Sequence, residues 1–141
     1  MNTSDKSEKQ ILRESADLQK NKYVLIIDDE EIALRVAKRT LEKFGFKVLT
    51  AKDGQEGVNL FRKNAGKIDG VLLDMNMPKM SGEETLGEMR RTDPKVRVIL
   101  SSGYNHRNVI DKFAGKGLAG FIQKPYKPRI LVEKLKAILE N

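Results

Sequence analysis

The stretch GVLLDMNMPKMSG, residues 70–82, opens as an unbroken apolar run and closes among the turn formers Pro78, Ser81 and Gly82. A strand with one wet face alternates strictly, so a run apolar on both faces indicates a parallel strand buried between two helix layers. Four further runs share its character: YVLII (23–27), KVLTA (47–51), RVILS (97–101) and GFIQK (120–124). Amphipathic stretches separate them, the signature of strands joined by crossover helices. After the first run, Ala33, Val36, Ala37, Thr40, Leu41 and Phe44 recur at helical spacing, and Gly45 is a stop signal. Asp53 to Glu56 (DGQE) and Ser81 to Glu84 (SGEE) are capping-box patterns, predicting the starts of the second and third helices. A short fourth helix is expected around Asn108 to Ala114, before glycines at 115, 117 and 120. The fifth spans Lys127 to Glu140, with Leu131, Leu135, Ile138 and Leu139 on its apolar face. Right-handed crossovers then give a doubly wound α/β fold, with five parallel strands and five helices.

Composition narrows the function classes. The 141 residues, 39% of them hydrophobic, suit one packed core. No run of about 18 apolar residues predicts a membrane span, and the polar start MNTSDKSEKQ lacks the apolar stretch of a secretory signal. A cytoplasmic protein without membrane contact is the expectation. Zero cysteines exclude a disulfide framework, thiolate zinc and thiol catalysis, and the single histidine, His106, offers little for a histidine-based metal site. The net charge of +7 would suit a polyanion, yet residues 1–22 carry five basic and four acidic groups, so this segment is no basic arm. With few periodic apolar residues it reads as a linker or flexible N-terminal extension preceding a domain over 23–141.

Ligands in such folds sit beyond the carboxyl ends of the strands. Those ends carry Asp28 and Asp29, then Asp74, Ser101 with Ser102, and Lys124. Thr50 and Lys52 fall outside this group if the order is 2-1-3-4-5, which puts the second strand at an edge. Each residue has a plain structural reading: a helix cap for the acidic pair, a turn residue, a solvated strand end, a surface charge. Their coincidence at one edge is harder to explain that way. Three clustered carboxylates repel one another unless a cation joins them, and an all-oxygen site suits a hard ion such as Mg²⁺. Such an ion completes its shell with phosphate, a lysine supplies a second positive charge to a phosphoryl group, and a carboxylate between them can act as nucleophile.

Over about residues 22–140 the chain resembles a response-regulator receiver domain of the two-component phosphorelay type. The matching features are the acidic pair in IIDDEE, the acceptor in LLDMNMPKMSG, the hydroxyl in ILSSGY and the lysine in FIQKPY, in the family's order. The resemblance implies a flavodoxin-like order 2-1-3-4-5 and makes Asp74 the phosphoacceptor. It implies that Asp29 and Asp74 bind Mg²⁺ directly, Asp28 mainly through water, and that the backbone carbonyl of Asn76 completes the shell. Ser101 would hydrogen-bond a phosphoryl oxygen, Lys124 would pair with it, and the Lys124–Pro125 peptide is expected to be cis. Phe121 matches the switch aromatic, where many relatives carry Tyr. The surface of the fourth helix, fifth strand and fifth helix would change with phosphorylation.

Other residues receive plainer readings. Tyr104 and His106 are loop residues, with no chemistry placed on His106. Met75, Met77 and Met80 pack the loop after the acceptor. Arg35, Lys38, Arg39 and Lys43 form a solvated helix face, although the same helix often docks histidine kinases in relatives. Gly54 and Gly57 do not make a dinucleotide fingerprint. The reading that follows is a phosphorelay switch whose partners are a histidine kinase or phosphotransfer domain and a downstream protein target, with no nucleic acid expected. A DNA-binding regulator would need a further module after the fifth helix. A metal-dependent phosphatase lacks a second acid or base, and a phosphorylation-independent module would be expected to lose part of the acidic, hydroxyl and lysine set. LSSGY and PKMSGEETL are similar to receivers at the carboxyl end of hybrid sensor histidine kinases; a free-standing regulator is the alternative.

Overall fold

Val24 to Ile27 are at most 1% exposed, so the first strand is covered on both faces. The computed structural model describes residues 7, 9–10, 22–103, 111, 113 and 117–139. In chain order it gives β1 (Tyr23–Ile27), α1 (Glu31–Lys43), β2 (Lys47–Ala51), α2 (Gly54–Lys63), β3 (Ile68–Asp74), α3 (Gly82–Thr92), β4 (Val98–Ser102), β5 (Gly120–Gln123) and α4 (Pro128–Leu139). The strands form one parallel sheet in the order β2-β1-β3-β4-β5. These four helices have their full span among the described residues; the helix expected around 108–114 lies outside them, apart from Asp111 and Phe113. None of the described helices is long and apolar enough to cross a membrane.

Strand periodicity divides the core in two. Leu25, Ile27, Val71, Leu73, Val98 and Leu100 meet α2 and α3 through Val58, Phe61, Leu86 and Met89. Val24, Ile26, Leu72, Ile99 and Ile122 meet α1 and α4 through Leu34, Ala37, Leu41, Leu131 and Leu135. Adjacent residues of one strand thus serve opposite layers, as a two-residue side-chain period requires. α2 approaches β1 so closely that a Cβ on Gly57 would overlap the Ile27 side chain. Gly45, at φ +95°, turns the chain out of α1, a conformation that favours glycine.

Several local expectations are refined. Val36 is not on the buried face of α1 but 51% exposed, because Leu34, Ala37 and Leu41 define the buried stripe. β3 starts at Ile68, where the Asp69 carboxylate accepts the Tyr23 amide at 2.8 Å and Tyr23 pairs with Ile68. Both predicted helix starts are capped by the N-cap side chain: Asp53 accepts the Glu56 amide at 2.8 Å and Ser81 the Glu84 amide at 3.1 Å. The glutamates do not return a bond to the N-cap amide; Glu56 accepts the Lys52 amide at 3.3 Å and Glu84 the Ser81 hydroxyl at 3.3 Å. β5 ends at Gln123, before the cis Lys124–Pro125 bond.

Candidate functional site

β1 and β3 are neighbours, so their carboxyl ends deliver Asp28, Asp29 and Asp74 to one point. One carboxylate oxygen from each lies within 4.8 Å of the others. Asp28 and Asp74 are only 5% and 3% exposed, whereas Asp29 faces solvent. The helix-cap reading of the acidic pair does not hold. Glu30 is the N-cap of α1 and makes no side-chain capping bond, while Asp28 Oδ1 accepts the Glu30 amide at 2.9 Å in a local turn. That bond leaves the second oxygen of Asp28 aimed at Lys124.

Lys124 enters from the end of β5, two strands from β3. Its amide donates to the Ser102 carbonyl at 2.7 Å, fixing the backbone. Its Nζ donates to Asp28 Oδ2 at 2.7 Å and lies 3.6 Å from Asp74 Oδ2 and 3.9 Å from Glu30 Oε1. Ser101, on β4 opposite Asp74 in register, is buried, and its Oγ donates to the Leu73 carbonyl at 3.5 Å, a weakly held hydroxyl. Asn76 donates its amide to Asp74 Oδ1 at 3.2 Å, bringing its own backbone to the acidic cluster. Phe121 is buried in the core layer of α2 and α3. The structure therefore assembles Asp28, Asp29, Asp74, Asn76, Ser101 and Lys124 at one sheet edge. Tyr104 and His106 lie outside the described residues.

Burial is the main cause of the electrostatic tension. Removal from water first, and the Asp28 charge second, push the Asp74 carboxyl up to about 7 against the opposing pull of Lys124 and the Asn76 amide. Burial pulls the Lys124 ammonium down, but its hydrogen bond to Asp28 and the charges of Asp74, Asp28 and Glu30 outweigh that and hold it above the ordinary lysine value. One ammonium thus faces several carboxylates. The donor set is all oxygen, charge-dense and undercompensated, which fits a hard divalent cation better than a thiophilic metal.

A cavity of about 560 Å³ opens beside this cluster, between α1 and α4, lined by Glu30, Val36, Asp74, Lys124, Tyr126 and Leu131 among others. Glu30 and Tyr126 are not singled out by the sequence reading. Both lie inside the decisive motifs, Glu30 as the third acid of IIDDEE and Tyr126 as the last residue of FIQKPY. Their distance from the strand ends hides them, since only the turn into α1 and the chain direction after Pro125 bring them to the cavity.

Comparison with known proteins agrees with this fold. The sensor kinase CckA of Brucella abortus is 30% identical over 130 residues, 92% of this chain but only 14% of that protein. A crystallised receiver domain from the hybrid histidine kinase CckA is 32% identical, with a TM-score of 0.71 over 83% of this chain and 98% of that one. The chemotaxis protein CheY of Thermotoga maritima is 30% identical over 118 residues, 83% of this chain and 97% of that one. The crystallised CheX–CheY–BeF₃–Mg²⁺ complex of Borrelia burgdorferi is 29% identical, with a TM-score of 0.80 over 86% of this chain and 92% of that one. The chain spans about half the length of several transcriptional regulators that it also matches. The pattern of the response regulator receiver domain matches residues 24–136, the segment that builds both the sheet and the acidic edge, and the chain belongs to that family of two-component signalling domains.

Proposed function

We propose that Asp74 accepts a phosphoryl group from the phosphohistidine of a histidine kinase or phosphotransfer domain, and that the domain is a phosphorelay switch. The observation that carries this reading is the buried Asp74 carboxylate, 3.6 Å from the Lys124 ammonium and within 4.8 Å of the Asp28 and Asp29 carboxylates. An Asp74 oxygen forms the new bond to phosphorus while the phosphorus–nitrogen bond breaks and its electron pair returns to the imidazole. Lys124 neutralises charge on the phosphoryl oxygens, and Ser101, held only by a 3.5 Å bond, turns its hydroxyl toward them. Asp29, Asp74 and the Asn76 carbonyl are the direct Mg²⁺ ligands in this reading, with Asp28 acting through water. When bound, Mg²⁺ supplies Lewis-acid charge to the phosphoryl oxygens.

The switch runs from Ser101 to Phe121, and changes the surface formed by β5, α4 and the segment preceding β5, which meets a downstream protein target. Residues 1–22 serve as the segment leading into a receiver domain over 23–141, in the cytoplasm. Similarity to CckA favours the receiver of a hybrid sensor kinase, whereas the near-complete coverage of Thermotoga CheY favours a free-standing regulator. The coding sequence upstream decides between them: a dimerisation helix bearing a histidine and an ATP-binding domain would establish the hybrid.

The phosphoacceptor assignment is tested by intact-mass measurement after incubation with Mg²⁺ and acetyl phosphate. The parent gains one phosphoryl mass and Asp74→Asn gains none; equal labelling of that variant removes Asp74 from the role.

A further inference from the structure

The cavity between α1 and α4 has two unlike sides. Asp74 and Lys124 lie at its polar end, and Ala33, Val36, Tyr126, Pro128 and Leu131 supply an apolar wall. Glu30 stands at the junction, 68% exposed at its side chain, and its carboxylate is 3.9 Å from Lys124 Nζ. That distance is too long for a hydrogen bond, so Glu30 keeps its acceptor capacity toward the cavity. Lys124 is already committed to Asp28 at 2.7 Å. The Tyr126 ring is partly buried against the core layer of α1 and α4, which holds it in place as a flat wall.

Accepting that Asp74 is the phosphoacceptor, we infer that Glu30 and Tyr126 form a leaving-group subsite that selects a protonated phosphoimidazole over an acyl phosphate. Asp74, Glu30 and Tyr126 line one cavity, so a donor that presents its phosphorus to Asp74 from that cavity has its leaving group among the other lining residues. In a phosphoimidazole the phosphorus–nitrogen bond breaks most easily when the second ring nitrogen carries a proton. The electron pair then returns to a cation and leaves neutral imidazole, with the proton still on that second nitrogen. An anionic carboxylate at the cavity rim favours this protonated donor and accepts its N–H, and an aromatic wall offers the ring a face to lie on. Acetyl phosphate has neither feature. Its leaving acetate gathers negative charge, which Glu30 opposes.

The test measures rates of phosphorylation of the full chain with N-phosphoimidazole and with acetyl phosphate, both with Mg²⁺ present, and compares their ratio between variants. Glu30→Gln is expected to slow the phosphoimidazole reaction and speed the acetyl phosphate reaction, lowering the ratio about threefold at low salt, as an exposed charge interaction allows. Tyr126→Leu keeps an apolar wall but removes the ring face, and is expected to lower the same ratio without speeding acetyl phosphate. A ratio that stays constant or rises in Glu30→Gln overturns the subsite. The underlying reading fails differently: if Asp74→Asn still accepts phosphate from either donor, it is the phosphoacceptor assignment that falls. Because both donors react at the same carboxylate, damage to folding or to the acidic cluster alters both rates together and cannot imitate a change in ratio.

Discussion

Replacing Asp74 by Asn should stabilise the metal-free domain, and the size of the gain should depend on pH in a defined window. In the folded protein, burial and the Asp28 charge move the Asp74 carboxyl from 3.8 up to about 7. A carboxyl with a raised folded value holds its proton longer in the folded than in the unfolded state, so stability falls as pH rises. The penalty is absent below the unfolded value of 3.8 and complete above about 7. At about 1.4 kcal/mol per pH unit, the full displacement is on the order of 4 kcal/mol. The side-chain amide introduced by Asp74→Asn would be neutral at every pH, could still accept the Asn76 amide and could donate to Asp28 as the protonated acid does. Urea unfolding with chelator present, at about pH 4, 6 and 8, measures the gap between variant and parent. The gap should be near zero at the lowest pH and widen by a few kcal/mol toward the highest. Parallel stability profiles for the two proteins would refute the claim that a buried, uncompensated carboxylate is ionised against the fold's interest.

Mg²⁺ tenfold above its dissociation constant should stabilise the parent by about 1.4 kcal/mol, and Asp29→Asn should lose most of that gain; thermal melts with chelator and with Mg²⁺ decide it, and an undiminished gain would move the cation elsewhere. Gly57→Ala should destabilise the domain by about 1–3 kcal/mol in urea titration, because a Cβ there overlaps Ile27. Arg97→Ala removes the bond from its guanidinium to the Ile138 carbonyl at 2.9 Å, and should cost about 1 kcal/mol with faster amide exchange in the last turn of α4. Beryllofluoride with Mg²⁺ should change amide exchange in β4, β5 and α4 more than in α2, and a uniform change would count against the Ser101–Phe121 route.

The sheet is legible in the sequence because five runs lack alternation, and each run corresponds to a strand of the parallel sheet. Both helix N-caps are legible for a local reason: their hydrogen bonds span three residues. The buried stripe of α1 is less so, since Val36 fits the same helical spacing as Ala33 and Thr40 and only packing shows that Leu34 has the core position. At the acidic edge, residue type and strand end are enough to bring Asp28, Asp29, Asp74, Ser101 and Lys124 together. The balance of forces among them is not readable in that way. Residue types alone suggest repulsion as the leading cause of a raised carboxyl, but desolvation comes first at Asp74, and desolvation depends on the layers that cover β3 rather than on neighbours in sequence. Glu30 and Tyr126 stay hidden in the sequence because a cavity between α1 and α4 is a property of helix packing.

The order of the strands explains why the acidic edge is tense yet stable. β1 and β3 are adjacent, so two carboxylate-bearing ends cannot separate without breaking the pairing that buries Leu25, Ile27, Leu72 and Leu73 at 0–2% exposure. Lys124 comes from β5 and reaches across β4, and it binds Asp28 more closely than Asp74, 2.7 against 3.6 Å. The proposed nucleophile is therefore the less compensated partner. A carboxyl pushed to about 7 is partly protonated at neutral pH, and a protonated carboxyl is a poor nucleophile. A divalent cation held by Asp28, Asp29 and Asp74 would favour the ionised form, and with it the proposed attack by the Asp74 oxygen. On the proposed assignment, the burial that destabilises the ionised residue would make its reactivity conditional on such an ion, and a fold that solvated Asp74 would lose that condition together with the penalty.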